Sequence, residues 1–381
     1  MRIFLILSFV IISLSGKTQE NDLAGFELSI DQDYFADFIR DTVTPDRNYT
    51  ISLRLGFYGA LANHDYLGLP WIRKKIDGFL LDNFIYNSGF REENKSHNFV
   101  FIANGFSPSH ISDEIPEYLT AVEDGYVLAG DRPFSSFTGF RSTRRIQGNK
   151  LFVHSARQLD MAIVSSFTFG FGSLGLAQSL DNLFGSKRPS ANLWDYDANK
   201  PYPTGQSMPS FFPLFMYSLS GEAVVWRPMK KVLLQVRPEL NLGYYTNIGI
   251  GLDFGKVMNV ERHIDNLSYT DTNNPGLISV NDEPIGFSIV GGGNVRAVLY
   301  NAHVNGMFGL GKGHNFPISN TKKIILEAYA GFKLQFFQKV ELNFSVNYRS
   351  SEFDSVVLRN PLWGTLGLKY LLDPPGEGCY D

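Results

Sequence analysis

From Leu326 the even positions Leu326, Ala328, Ala330, Phe332, Leu334 and Phe336 are all apolar, while Glu327, Tyr329, Gly331, Lys333 and Gln335 between them are mostly polar or small. A period of two over that length marks an extended strand with two unlike faces. The pattern restarts after Gln338 and Lys339: Val340, Leu342, Phe344, Val346 and Tyr348 take one side, and Glu341, Asn343, Ser345, Asn347 and Arg349 the other. A third copy sets Leu234, Val236, Pro238, Leu240 and Leu242 against Gln235, Arg237, Glu239 and Asn241. Read in this way, the chain holds twelve strand segments: 26–34, 49–59, 97–105, 134–146, 151–171, 211–227, 231–243, 245–255, 287–305, 322–337, 339–350 and 362–372.

Such strands fit either a soluble sandwich with apolar residues inward or an outer-membrane barrel with apolar residues toward lipid. Three features favour the membrane. Residues 1–19 read as a signal peptide, with Arg2 as a basic start, Ile3 to Ile12 as an apolar core, and Ser13, Ser15 and Gly16 as small residues at a cleavage site. Strands of about ten residues match a tilted crossing of the bilayer. Aromatic residues are 14% of the chain, which suits interfacial girdles. The expectation is therefore all-β, an antiparallel transmembrane β-barrel of about 12 strands and outer-membrane type, formed by residues 20–381 as one domain. A Lys or Arg facing lipid at mid-depth costs about 2 to 4 kcal/mol, so Lys333, Arg349 and Arg237 are expected to point into the lumen.

Composition narrows the partners. The chain has 381 residues and a net charge of -4, from 34 basic and 38 acidic side chains, so nothing favours a nucleic acid. One Cys, Cys379, excludes a disulfide scaffold, and no zinc signature is present. Past residue 20 no run of about 18 apolar residues occurs, so membrane helices are excluded.

Twelve strands return the chain to the side on which it began, here the periplasm. The tight connections at 147–150, 228–230 and 338 are then periplasmic, and the long ones at 35–48, 106–133, 172–210 and 306–321 extracellular. Two long connections, 60–96 and 256–286, also fall to the periplasm. The first, with Trp71, Ile72, Ile76, Phe79 and Leu80, is expected to hold a short amphipathic helix.

The same parity gathers polar groups at the extracellular rim: Gln32 and Asp33 closing the first strand, Asp46 to Thr50 opening the second, and a loop in which Gln178 and Asn182 stand four residues apart, one helical turn. By themselves these are ordinary rim and turn residues. In order along the chain, however, Gln32-Asp33-Tyr34-Phe35, Asp46-Arg47-Asn48-Tyr49-Thr50, Gly105-Phe106-Ser107-Pro108, Asp131-Arg132-Pro133-Phe134 and Tyr348-Arg349-Ser350-Ser351-Glu352-Phe353 resemble the motifs of the outer-membrane lipid A 3′-O-deacylases. The resemblance covers nearly the whole mature chain.

It implies a twelve-stranded barrel that removes an ester-linked acyl chain from lipid A in the outer leaflet, with calcium assisting. It also implies a catalytic set of Gln178, the position of Asn182, Thr50 and Gln32, with Asp33 as a calcium ligand. Lipid A or lipopolysaccharide is the implied partner, the outer membrane the location, and a monomer the expected state. In the family a His stands where this chain has Asn182 and acts as general base; a neutral amide cannot take a proton from water near pH 7. By the same offset Arg188 replaces an acidic residue. Of the seven His, His110, His303 and His314 fall toward the outer rim as substitutes, and His64, His97, His154 and His263 toward the periplasm. Two readings follow: a hydrolase with a displaced base, or a barrel that binds lipid A or serves the membrane without catalysis.

Overall fold

The computed structural model describes residues 25–32, 51–82, 90–106, 135–151, 158–172, 207, 212–229, 232–257, 285–307, 317–337, 339–353 and 360–371. Each of the twelve segments forms a strand: β1 (Gly25–Gln32), β2 (Ile51–Tyr58), β3 (Phe90–Phe106), β4 (Ser135–Leu151), β5 (Gln158–Gly172), β6 (Pro213–Met229), β7 (Val232–Gly243), β8 (Tyr245–Val257), β9 (Ile285–Asn301), β10 (Ile324–Phe336), β11 (Val340–Arg349) and β12 (Leu362–Leu371). Each pairs antiparallel with its sequence neighbour, and β1 pairs with β12 to close the barrel. Closure leaves no strand edge, which is what lets a sheet cross hydrocarbon. Gly25 lies opposite Leu371, so both ends of the barrel chain meet at one rim, here called the terminal end. Gln32, Ser135 and Asn301 belong to the far end.

The alternation sorts side chains as expected. Along β10, Leu326 and Phe332 are exposed on the outer wall, whereas Lys333 and Gln335 are buried inside. Arg237 and Glu341 are also buried in the lumen, and Ile248, Ile250, Leu252, Val295, Leu366 and Leu368 add to an outward apolar band. Water-exposed apolar surface on this scale is unfavourable, and a bilayer removes the cost. Aromatic rings bridge strands on the same face: Phe140 lies 5.6 Å from Phe99 and 5.5 Å from Phe101, and Phe169 lies 5.2 Å from Phe215.

The lumen is filled from two sides. Against β3 to β6, near the far end, Val100, Ile102, Phe137, Leu214 and Met216 pack with Tyr244, Ala302 and Met307. Phe137 is admitted by two glycines opposite each other on β4 and β5: a Cβ on Gly139 would stand 2.8 Å from its ring, and one on Gly170 2.6 Å. Against β7 to β11 the lumen carries a lattice of charge. Arg237 donates to Asp253 at 2.9 Å and to Glu239 at 3.2 Å; Arg296 joins Glu239 to Glu327; Arg349 joins Glu327 to Glu352. Each of these charges has an opposite partner within the lumen, which offsets the cost of removing it from water.

Several boundaries differ from the sequence reading. The segment 151–171 divides, because β4 runs on to Leu151 and β5 starts at Gln158. The segment 287–305 is strand only to Asn301. There the Asn301 side chain accepts from the His303 backbone N–H and caps a single turn, α2 (Ala302–Asn305), which folds into the lumen. A tight β7 to β8 connection through Tyr244 lies at the far end, where long loops were expected. Gly243, at φ 139, makes it possible, and Thr246 Oγ1 both accepts from Gly243 N and donates to Gly243 O.

The largest difference is the connection after β2. The expected helix exists as α1 (Leu69–Asp77), preceded by short 3-10 turns at Ala60–Asn63 and Asp65–Leu67 and followed by a π turn at Gly78–Asp82. It does not hang free in the periplasm. It packs on the outer wall over β4 and β5, because the residues that it touches, Ser142, Arg144, Ser165 and Tyr217, alternate with the lumen residues Arg141, Arg145, Thr168 and Met216. Asp77 is the hub, accepting from Ser165 at 2.9 Å, Tyr217 at 2.9 Å and Arg73 at 3.2 Å. Arg73 reaches on to Asn63 at 2.7 Å and Ser142 at 3.2 Å. Uncovered, Arg144 would face lipid at a cost of about 2 to 4 kcal/mol; α1 supplies Asp77, and the turn after it Asp82, instead.

Candidate functional site

The rim site expected from sequence is built on the far ends of β1 and β2. Asp31 and Gln32 are consecutive strand residues and face opposite ways. Asp31 is buried in the lumen and pairs with Arg54 of β2 at 3.0 Å. Gln32 is half-buried on the outer wall opposite Gly364, in line with the exposed Leu366 and Leu368 of β12. Asp33, Thr50, Gln178 and Asn182 lie outside the described residues, as do His110 and His314.

Of the three His expected near the rim, His303 is described, and it lies inside the barrel. It sits on α2, 7% exposed, with Nδ1 2.6 Å from the hydroxyl of Ser135, the first residue of β4. Its ring meets Phe106 edge-on at 5.0 Å and Tyr244 at 5.7 Å. Asn301, which caps the turn, donates from Nδ2 to Glu352 at 3.1 Å, and Ser207 donates to the His303 carbonyl at 3.0 Å. These contacts pin α2 across the lumen. Since Gln32 is on the other face of the wall, His303 cannot share a water with it, and a general base needs hydrogen-bond reach of the water that it activates. Ser135 is fully buried, so the Ser135 and His303 pair offers no accessible nucleophile. Its role is to anchor the turn.

His64 and His97 stand with the outer-wall segment. His97, on β3, lies opposite Arg144, and its carbonyl accepts from Gly59 N at 3.2 Å. Neither is near the rim formed by Gln32.

Inside the far half of the lumen is a cavity of about 260 Å³, bordered by Asp31, Arg54, Arg141, Glu239, His303 and Glu352 among others. Its charged walls belong largely to the ion-pair lattice. Among the described residues no group of three or more His, Cys, Asp or Glu is placed to hold a metal ion. The sequence reading did not single out Asp31, whose pairing with Arg54 depends on strand register, nor the cluster around Asp77. A polar residue next to the rim motif was the available signal for the first; the second had none.

No protein-family model matches the chain, and no curated protein sequence does. Solved structures do. LpxR from Salmonella typhimurium superposes with a TM-score of 0.56 at 14% identity, covering 92% of this chain and 100% of that one. An outer-membrane channel from Pseudomonas putida F1 (TM-score 0.39, 7% identity, 93% and 99% covered) and the β-domain of the Bordetella autotransporter BrkA (0.36, 7%, 92% and 99%) are too distant to bear on it. What this chain shares with LpxR is the fold: a closed antiparallel barrel of outer-membrane type.

Proposed function

We propose that the protein is an outer-membrane barrel that engages lipid A in the outer leaflet, at a rim site of the deacylase type in which Asn182 has taken the place of the general base. The observation that carries this reading is the position of Gln32. It is half-buried on the outer wall at the far end of β1, in line with the exposed Leu366 and Leu368 of β12, which supports a site reached from the lipid side. The order of rim motifs and the likeness in fold to LpxR point the same way. In this reading Gln178 and Thr50 orient a water and the ester, Asp33 contributes to a calcium site as a hard oxygen donor, and the far end faces outward. Asn182 positions the water without taking its proton. Binding of lipid A is retained, and hydrolysis falls by the roughly 10²- to 10⁴-fold that a placed general base contributes.

Mass spectrometry of lipid A from cells with and without the protein, paired with binding of purified protein to lipid A vesicles in calcium, tests it. Binding without a change in acylation is the expected result. Robust calcium-dependent deacylation would overturn the assignment of Asn182, and absence of binding would overturn the site.

A further inference from the structure

The outer-wall segment exposes the wrong side for water. An amphipathic helix on a soluble protein buries its apolar stripe and shows its charges. Here Arg73 and Asp77 are 0% exposed against the barrel, while Trp71 is 51% and Phe79 81% exposed, with Tyr66 and Leu80 also open. The burial is specific, since Asp77 alone takes hydrogen bonds from Arg73, Ser165 and Tyr217. The exposed apolar residues are continuous with the barrel's lipid face: α1 lies across β4 and β5, whose outward residues farther up include Phe140, Phe169 and Phe171. Ser165, which anchors Asp77, is the middle residue of β5, so the helix stands well inside the height of the wall.

The remaining exposed groups fit a headgroup boundary. Lys75 points away from the wall, and Lys74 is held by Asp65 at 2.7 Å. Tyr and Trp with nearby Lys are the residues that settle at a membrane interface, the Lys stems lying along apolar surface and the ammonium reaching phosphate.

We infer that residues 60–82 form a collar seated in the bilayer leaflet at the terminal end of the barrel. Trp71, Phe79 and Leu80 lie among acyl chains, and Lys75 reaches the phosphates of that leaflet's phospholipids. The polar face that would be forbidden in lipid is satisfied by the wall. The partner is a phospholipid surface, distinct from lipid A at the far rim, and the inference stands independently of the proposed activity.

The test uses the full chain with Cys379→Ser and one new cysteine, Phe79→Cys, labelled with an environment-sensitive fluorophore and reconstituted into phosphatidylcholine and phosphatidylglycerol vesicles. With acyl chains brominated just below the headgroups the emission is expected to drop about twofold, since an interfacial helix sinks its apolar face roughly 5–10 Å into that boundary. A label at Lys333→Cys, inside the lumen, is expected to be unaffected. Leu80→Cys is the second position should Phe79→Cys not fold. Quenching by aqueous iodide but not by brominated lipid would overturn the inference and assign the surface to water or a periplasmic protein.

Discussion

The hydroxyl of Tyr217 donates to Asp77 at 2.9 Å across the outer face of the barrel, joining α1 to a strand 140 residues further along the chain. Asp77 also neutralises Arg73, which has no exposure of its own. Removing one partner of a buried pair costs about 3–5 kcal/mol, because the other charge is left without compensation. Loss of a hydrogen bond to a charged group costs about 1.5–3 kcal/mol. Asp77→Ala is therefore expected to lower the unfolding midpoint in guanidinium more than Tyr217→Phe does. Equal midpoints for wild type and Asp77→Ala would show that the cluster does not hold the helix.

Asn182→His is expected to raise calcium-dependent release of acyl chains from lipid A by up to about 10²- to 10⁴-fold. By the family offset an acidic residue follows the base where this chain has Arg188, so Arg188→Glu combined with Asn182→His is expected to exceed the single variant. Mass spectrometric quantification of released fatty acid reads the result, and no gain from either protein would remove Asn182 from the site.

The lumen should not conduct. Arg145 and Glu222, at 2.5 Å, and Arg237 and Asp253 are buried pairs on the lumen side of β4 to β8, and Lys333, Glu341 and Lys369 of β10 to β12 are buried in the lumen as well. Planar bilayers containing the purified protein should show no steady single-channel current. A reproducible open conductance would mean that the lattice is not closed in the membrane.

Phe332 and Lys333 offer a direct reading of the two faces, at 37% and 4% exposure on adjacent residues. A lipid-soluble thiol probe should label Phe332→Cys and spare Lys333→Cys. Reversed labelling would invert the register of β10.

Gly170→Val should be poorly tolerated. A Cβ there would stand 2.4 Å from the Thr138 carbonyl oxygen and 2.6 Å from the Phe137 ring, closer than side-chain carbons approach. Overpacking of this kind costs about 1–3 kcal/mol. The Phe137 ring, stacked on Tyr244 at 5.1 Å, is expected to shift, and near-ultraviolet circular dichroism should report it.

The strands were legible because a wall with lipid on one side and a packed lumen on the other imposes the period of two on almost every residue that crosses. Lys333, Arg237 and Arg349 could be assigned to the lumen from that period alone. The polar half of β3, with Arg91, Glu92, Asn94 and Lys95, was missed because it lacks the alternation. Helix α1 could be foreseen but not placed: an amphipathic pattern says that a helix has two faces, not which of them meets the protein. His303 was misread as part of a strand because the Asn301 cap that ends β9 is a local hydrogen bond, invisible in the hydropathy. Of the rim site, the sequence order of motifs was readable, and the outward direction of Gln32 followed only once the register of β1 against β12 was known.

The route of the chain around the outside of β3 and β4 also orders assembly. The partners of Asp77 lie on β4, β5 and β6, so the docking of α1 is complete only when strands synthesised long after it have joined the wall. Contacts so distant in sequence are slow to form, since the loop must close before they contribute. Until then Arg73 and Asp77 have each other and Asn63 of their own segment, without the wall. Docking of this segment is expected to be a late event in maturation.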